Sequence, residues 1–397
     1  MSDLAPVATP TRVSSPARLL SGFLLSGFLF ALLGAILPAW GYYRDPPDFV
    51  SVGHYFLSIN LGMILAARLA QWLLPRSGIR FLLIFASVLA CATLLYLAMV
   101  PPPLPAIWRI SGLAVIGLAT GLLHPALFHA ISASYTADPA GTLNHGGIFY
   151  GLGCLAVTLL VAGTFYAYTV PSILILMATV PGYFAGIFAK TTFPPVAIPE
   201  VRGARRTLQE FRSPVAIMFA MLLFFQFGNE WAIAGWLPLF LIRRLGLSPS
   251  TSLLLLALYW LALLVGRSGA VAVLPRVRHG RLLGGSVLAA LFGYLLLFST
   301  NNEFGAAMAI LFIGGGFAFV YPLVSERIGR RFPHYHPGFF NGIFSFGLLS
   351  GTLAPATLGY AAAVWDIGVV MALPLLGTCM VCLLLLLMWL EAKVTGQ

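Results

Sequence analysis

Glu230 and His124 carry the most chemistry in this chain, because each stands deep inside a long run of apolar residues. An ionised acid at the centre of a bilayer costs about 3 kcal/mol on insertion scales, so such a residue is expected to face a cavity or a partner. Gln226 lies four residues before Glu230 and shares its helix face, with Asn229 beside them. A stripe of Gln, Asn and Glu can donate to and accept from the hydroxyls of a polar solute, and Glu230 can exchange a proton. The alternative use of these groups is an interhelical hydrogen bond or an ion pair. Histidine titrates near neutral pH, which makes His124 a second candidate proton carrier, the alternative being a neutral ring hydrogen-bonded between helices. His129 is five residues on, about 140° around a helix, and is read as structural. His54 is expected near the outer mouth, solvated.

Softer candidates for contact with the solute are Asn60, Tyr150, Tyr321 and Asn341, together with Trp236 and Trp260, whose rings offer stacking faces. Asn144 opens its span and is read mainly as a helix cap. Enzyme motifs are missing from the chain. It has no phosphate-binding Gly-x-x-x-x-Gly-Lys, no His-Glu-x-x-His and no Gly-x-Ser-x-Gly, so no catalysis, cofactor or metal is expected. Cys91, Cys154, Cys379 and Cys382 all lie in apolar sequence and read as packing residues, the Cys379/Cys382 pair included.

The elements that must hold these groups are membrane helices. Of 397 residues, 60% are hydrophobic and only 8% charged, far from the quarter that soluble domains carry. About 20 apolar residues cross a bilayer core, and the chain offers twelve such runs. They cover roughly 19–41, 51–74, 79–100, 105–131, 144–168 and 170–190, then 214–242, 250–273, 281–299, 305–325, 337–363 and 366–390. The expected organisation is a disordered tail over 1–18, a six-helix bundle over 19–190, a polar linker over 191–213 and a second bundle over 214–397.

Net charge is +11, and the basic residues sit in short loops, where they set topology rather than bind nucleic acid. With the N-terminus in the cytoplasm, only Arg44, Arg109, Arg243 and Arg244 of the 22 Lys and Arg fall outside. Both termini are then cytoplasmic. The short loops and the lack of an Asn-x-Ser/Thr acceptor fit a bacterial inner membrane; the expected partners are a small solute, protons and the lipid bilayer, and the expected state is a monomer.

The halves repeat one another. Leu37-Pro38 recurs as Leu237-Pro238, and Leu74-Pro75-Arg76 as Leu274-Pro275-Arg276, both at a lag of 200 residues. Gly147-Ile148-Phe149 recurs as Gly342-Ile343-Phe344 at a lag of 195. A duplicated six-span unit places a substrate site between the halves, near the midplane.

Span seven reads Phe224-Phe225-Gln226-Phe227-Gly228-Asn229-Glu230, then Trp236-Leu237-Pro238-Leu239-Phe240. Span eight carries Tyr259-Trp260 and Gly266-Arg267, and span four Gly117 to Pro125 with Thr120-Gly121 and His124. In these residues the chain resembles the major facilitator superfamily, in particular its fucose-permease-like sugar porters. The resemblance implies an all-α fold of twelve transmembrane helices in two pseudo-symmetric six-helix bundles. It also implies transport of a small polar solute, a sugar above all, by alternating access and with proton coupling. It assigns Arg267 to an inner gate with Glu326 as partner, joined by Arg68 and Arg76. Three departures stand out: Pro75 replaces the acid usual before Arg76, span one has no acid between Leu19 and Tyr43, and His124 occupies the place of an acid in span four, so that uniport stands open beside proton coupling. Two other readings remain open on the same scaffold: an exporter of amphipathic or drug-like compounds, and a membrane sensor that no longer transports.

Overall fold

The structure, a computed structural model, describes residues 16–132, 134, 139–195, 211, 213–273, 276–332 and 342–395. Most of the expected tail and linker, Asn341 and the Leu274-Pro275 repeat lie outside the described residues.

The described chain is helical. Its elements are α1 (Pro16–Leu20), α2 (Gly22–Ala39), α3 (Phe49–Met99), α4 (Ala106–Ala130), α5 (Pro139–Thr164), α6 (Val170–Ala189), α7 (Pro214–Leu245), α8 (Pro249–Val273), α9 (His279–Ser299), α10 (Glu303–Arg331), α11 (Gly342–Val364) and α12 (Val369–Thr395). The first two form one crossing, Ala17–Ala39. Helix α3 has 51 residues, about 76 Å at 1.5 Å per residue, which is more than twice a bilayer core. It breaks at Gly78, whose φ of 77° and ψ of 164° no L side chain adopts comfortably. The break makes α3 two crossings, and the crossings number twelve among the described residues. From α4 onward, helix and crossing numbers coincide.

Several boundaries differ from those expected, and the causes are polar. Asp48 caps α3 by accepting from the Ser51 amide at 3.0 Å, and Asn302 caps α10 through the Gly305 amide at 2.7 Å. Helix α7 runs three residues past the expected 242 and stops at Gly246 in the left-handed region. Helix α10 continues to Arg331, past the expected end at 325, helped by the i,i+4 pair of Glu326 and Arg330. An apolar count detects none of these turns, because they project beyond the hydrocarbon.

The helices form two pseudo-symmetric six-helix bundles, α1–α6 and α7–α12. An even number of crossings leaves the start of α1 and the end of α12 on one side, here the tail side. Large apolar side chains such as Phe85, Leu176, Phe292, Leu376 and Leu387 are exposed on the periphery. On a soluble protein such a surface would aggregate; here it faces lipid. The bundles meet where α2 packs on α7, α3 on α11 and α5 on α8.

Candidate functional site

A cavity lies between the bundles. It runs from mid-membrane, at Glu230 and Trp231, to the tail-side helix ends at Ile131 and Thr142. Its lining comes from α2, the first part of α3, α4 and α5 in one bundle, and from α7, α8, α10 and α11 in the other. Helices α6, α9 and α12 contribute nothing to it, so the pseudo-symmetry extends to the walls.

Glu230, His124, Tyr150, Tyr321 and Arg267 all line this cavity. Gln226 does not reach it: the residue is 1% exposed and donates from Nε2 to Glu230 Oε1 at 2.7 Å. The Gln226 amide thus holds one carboxylate oxygen of Glu230, a residue that itself lines the cavity. On α4, His124 Nε2 hydrogen-bonds Ser26 Oγ of α2, and its ring lies 6.4 Å from that of Tyr150. Tyr321 packs its ring against Phe227 at 5.5 Å.

Arg267 enters the cavity from α8. Its Nη1 donates to the Gly147 carbonyl of α5 at 3.1 Å, and its own carbonyl accepts from Asn144 Nδ2 at 2.9 Å. These two bonds join the bundles on the tail side. They also correct two expectations. Asn144 does not cap its helix, and the partner of Arg267 is a backbone carbonyl instead of Glu326. Glu326 is held on the tail-side surface by His279 at 3.0 Å and by Arg330. The other basic residues expected at the gate lie apart from it: Arg68 is exposed, and the Arg76 guanidinium sits 3.7 Å over the exposed Trp72 ring.

Other expected contacts point elsewhere. Asn229 turns into its own bundle and donates to Thr378 Oγ1 of α12 at 3.1 Å. Trp236 is fully buried, donating from Nε1 to the Pro355 carbonyl at 2.9 Å, with its ring against Phe49 and Phe56. Trp260 is buried behind the lining, edge-on to Tyr259 at 4.9 Å. The physical reason is common to all three. Helical spacing says which residues share a face, whereas the neighbouring helices decide which face is the cavity's.

Beyond Trp231 the bundles close. Asn60 lines a smaller space of about 450 Å³ there, and its Nδ2 donates to the Gly351 carbonyl at 3.2 Å. His54, expected to be solvated, hydrogen-bonds Tyr360 at 2.6 Å across the bundles. At the far-side surface Arg243 pairs with Asp45 at 2.7 Å. Gly53 and Gly359 bring α3 and α11 together so closely that a Cβ on Gly359 would lie 2.5 Å from the Phe49 carbonyl oxygen. Arg109, expected among the outer loop charges, is instead buried. It donates to Tyr55 at 2.8 Å, Tyr42 at 3.2 Å and the Leu104 carbonyl at 2.9 Å.

One lining residue, Trp231, and one fully buried residue behind the lining, Ser26, escaped the sequence reading. Trp231 lines both spaces, with its ring 5.0 Å from that of Phe30 and its indole filling the gap left by Gly351. Its signal was its position directly after Glu230. Ser26 left no signal beyond a hydroxyl in an apolar span.

Residues 145–355 match the family model described as Major Facilitator Superfamily. An uncharacterised MFS-type transporter of Yersinia pestis is 25% identical over 359 residues, covering 87% of this chain and 88% of the relative. Among solved structures, a D-xylose-proton symporter aligns with a TM-score of 0.73 at 16% identity, covering 94% of this chain and 96% of its own. The nucleoside transporter NupG aligns with a TM-score of 0.68 at 12% identity, covering 94% and 98%. The Escherichia coli fucose:proton symporter FucP aligns with a TM-score of 0.62 at 14% identity, covering 93% and 97%. At these identities the likeness is one of fold.

Proposed function

Because the chain belongs to the major facilitator superfamily and is an integral membrane transporter of a small-molecule substrate, we propose that it moves a polar, sugar-like solute by alternating access with proton coupling. The observation that carries this reading is the cavity between the bundles, into which Glu230, Arg267, His124, Tyr150 and Tyr321 converge. Such a wall binds hydroxyls by hydrogen bonds and the flat face of a ring by Trp231. Proton coupling rests on Glu230 and His124, the titratable groups on opposite bundles whose protonation changes the cavity's charge.

Alternating access uses the asymmetry between the two sides. The far side is closed by Asp45–Arg243, His54–Tyr360 and Asn60–Gly351. The tail side is joined through Arg267 and Asn144. Rocking one bundle against the other breaks the first set and lets the solute leave on the opposite side. We place the tail side in the cytoplasm of a bacterial inner membrane, since the order of spans in the sequence assigns eighteen of the 22 basic residues to it. The carrier acts as a monomer.

A second reading has its own support. Phe23, Met63, Ile64, Phe128, Phe227 and Trp231 form much of the wall, which also suits an amphipathic compound and its export. A solute thermal-shift screen on the purified protein, followed by counterflow in proteoliposomes, tests both. Stabilisation and exchange by sugars support the first reading. Stabilisation by lipophilic cations or drugs alone replaces it with the second.

A further inference from the structure

Arg267 is 8% exposed, yet it lines the cavity. A guanidinium carries five N–H donors. One of them, on Nη1, reaches the Gly147 carbonyl, and Nε is buried with no hydrogen-bond partner. Among the described residues no acid lies within ion-pair distance of it; the side-chain ion pairs are Arg243–Asp45, His279–Glu326, Arg330–Glu326 and Arg331–Glu391. Glu230, the other charge in the cavity wall, is engaged by Gln226.

A cation taken out of water without a paired anion is strongly destabilised, so its counter-charge is expected to come from somewhere. The backbone of Arg267 is fixed by Asn144 and its Nη1 by Gly147, which leaves the remaining donors preorganised rather than free to search. A planar guanidinium matches a carboxylate better than any other side chain does. We propose that the transported solute is a monocarboxylate bearing several hydroxyls, of the aldonate or uronate class, with its carboxylate on Arg267. This rests on the transport reading above and narrows it. Its hydroxyls reach Glu230, Tyr150, Tyr321 and His124, which surround the same space. The one guanidinium offers a single positive charge, which one carboxylate neutralises, while Glu230 stands beside it as a like charge that protonation removes. A phosphate ester, with close to two charges at neutral pH, would leave the cavity strongly negative.

The test is binding and counterflow with glucose, gluconate, glucuronate and glucose 6-phosphate as probes, on purified protein and in proteoliposomes. Gluconate or glucuronate should bind at least tenfold more tightly than glucose. Arg267→Gln should erase that preference, and Arg267→Lys should keep part of it. Glu230→Gln should tighten binding of the acid severalfold by removing a like charge, while binding of glucose does not tighten. A misfolded variant cannot produce such a gain. If glucose binds and exchanges as well as the acids, the carboxylate assignment falls while the transport reading stands. A preference for glucose 6-phosphate also overturns it. If none of the four binds or moves, the carboxylate assignment falls and so does the sugar-like reading.

Discussion

Gln226 and Glu230 sit one turn apart on α7, the amide of the first donating to the carboxylate of the second at 2.7 Å, and only the second touches the cavity. One residue presents the charge and the other aims it. A hydrogen bond to a charged group contributes roughly 1.5–3 kcal/mol, enough to matter for both orientation and proton exchange.

The first prediction follows from that pair. Glu230→Gln should lower solute-driven flux by at least about tenfold at unchanged membrane expression, since an ionisable group is lost from the wall. Gln226→Leu should act in the same direction but less strongly. Wild-type flux in Glu230→Gln proteoliposomes would remove Glu230 from the mechanism.

His124 tests the coupling. If it carries the proton, solute uptake into cells in an unbuffered suspension should change the external pH, and His124→Ala should abolish that change while leaving counterflow. The bond to Ser26 ties the ring to α2, so Ser26→Ala should weaken the coupling without removing it. A pH change that survives in His124→Ala would transfer the role elsewhere.

Closure of the far side depends on backbone contact between α3 and α11. A Cβ on Gly359 would lie 2.5 Å from the Phe49 carbonyl oxygen and 2.6 Å from Gly53 Cα. Gly359→Val should therefore hold the far side open. In a background with Asn60→Cys, labelling by a membrane-impermeant maleimide from that side should rise several-fold, and transport should fall. Unchanged labelling would show that the bundles close without that contact.

Asn229 separates stability from transport. Its bond to Thr378 joins α7 to α12 away from the cavity, and losing a buried hydrogen bond costs about 1–3 kcal/mol. Asn229→Ala should lower the thermal midpoint of the purified protein while leaving the solute KM within about twofold. A large change in KM would return Asn229 to the site.

The amino-acid sequence alone determined the crossings, because burying a helix in lipid is a matter of length and hydropathy. The lag between the halves was legible because it is periodic. Glu230, His124, Tyr150 and Tyr321 were singled out by polarity against an apolar background, and the fold brings them to one space. Only the tertiary structure decided the facing of the others. Asn229, Trp236 and Asn60 are polar or amphipathic groups in the same spans, and each is consumed by a bond to a neighbouring helix. Arg267 shows the limit from the other side: its charge was visible in the sequence, but not that its partner would be a carbonyl on α5, 120 residues away. Within a membrane most buried polar groups take a partner or a wet cavity, and which they take is fixed by where other helices pack, information that no single span contains.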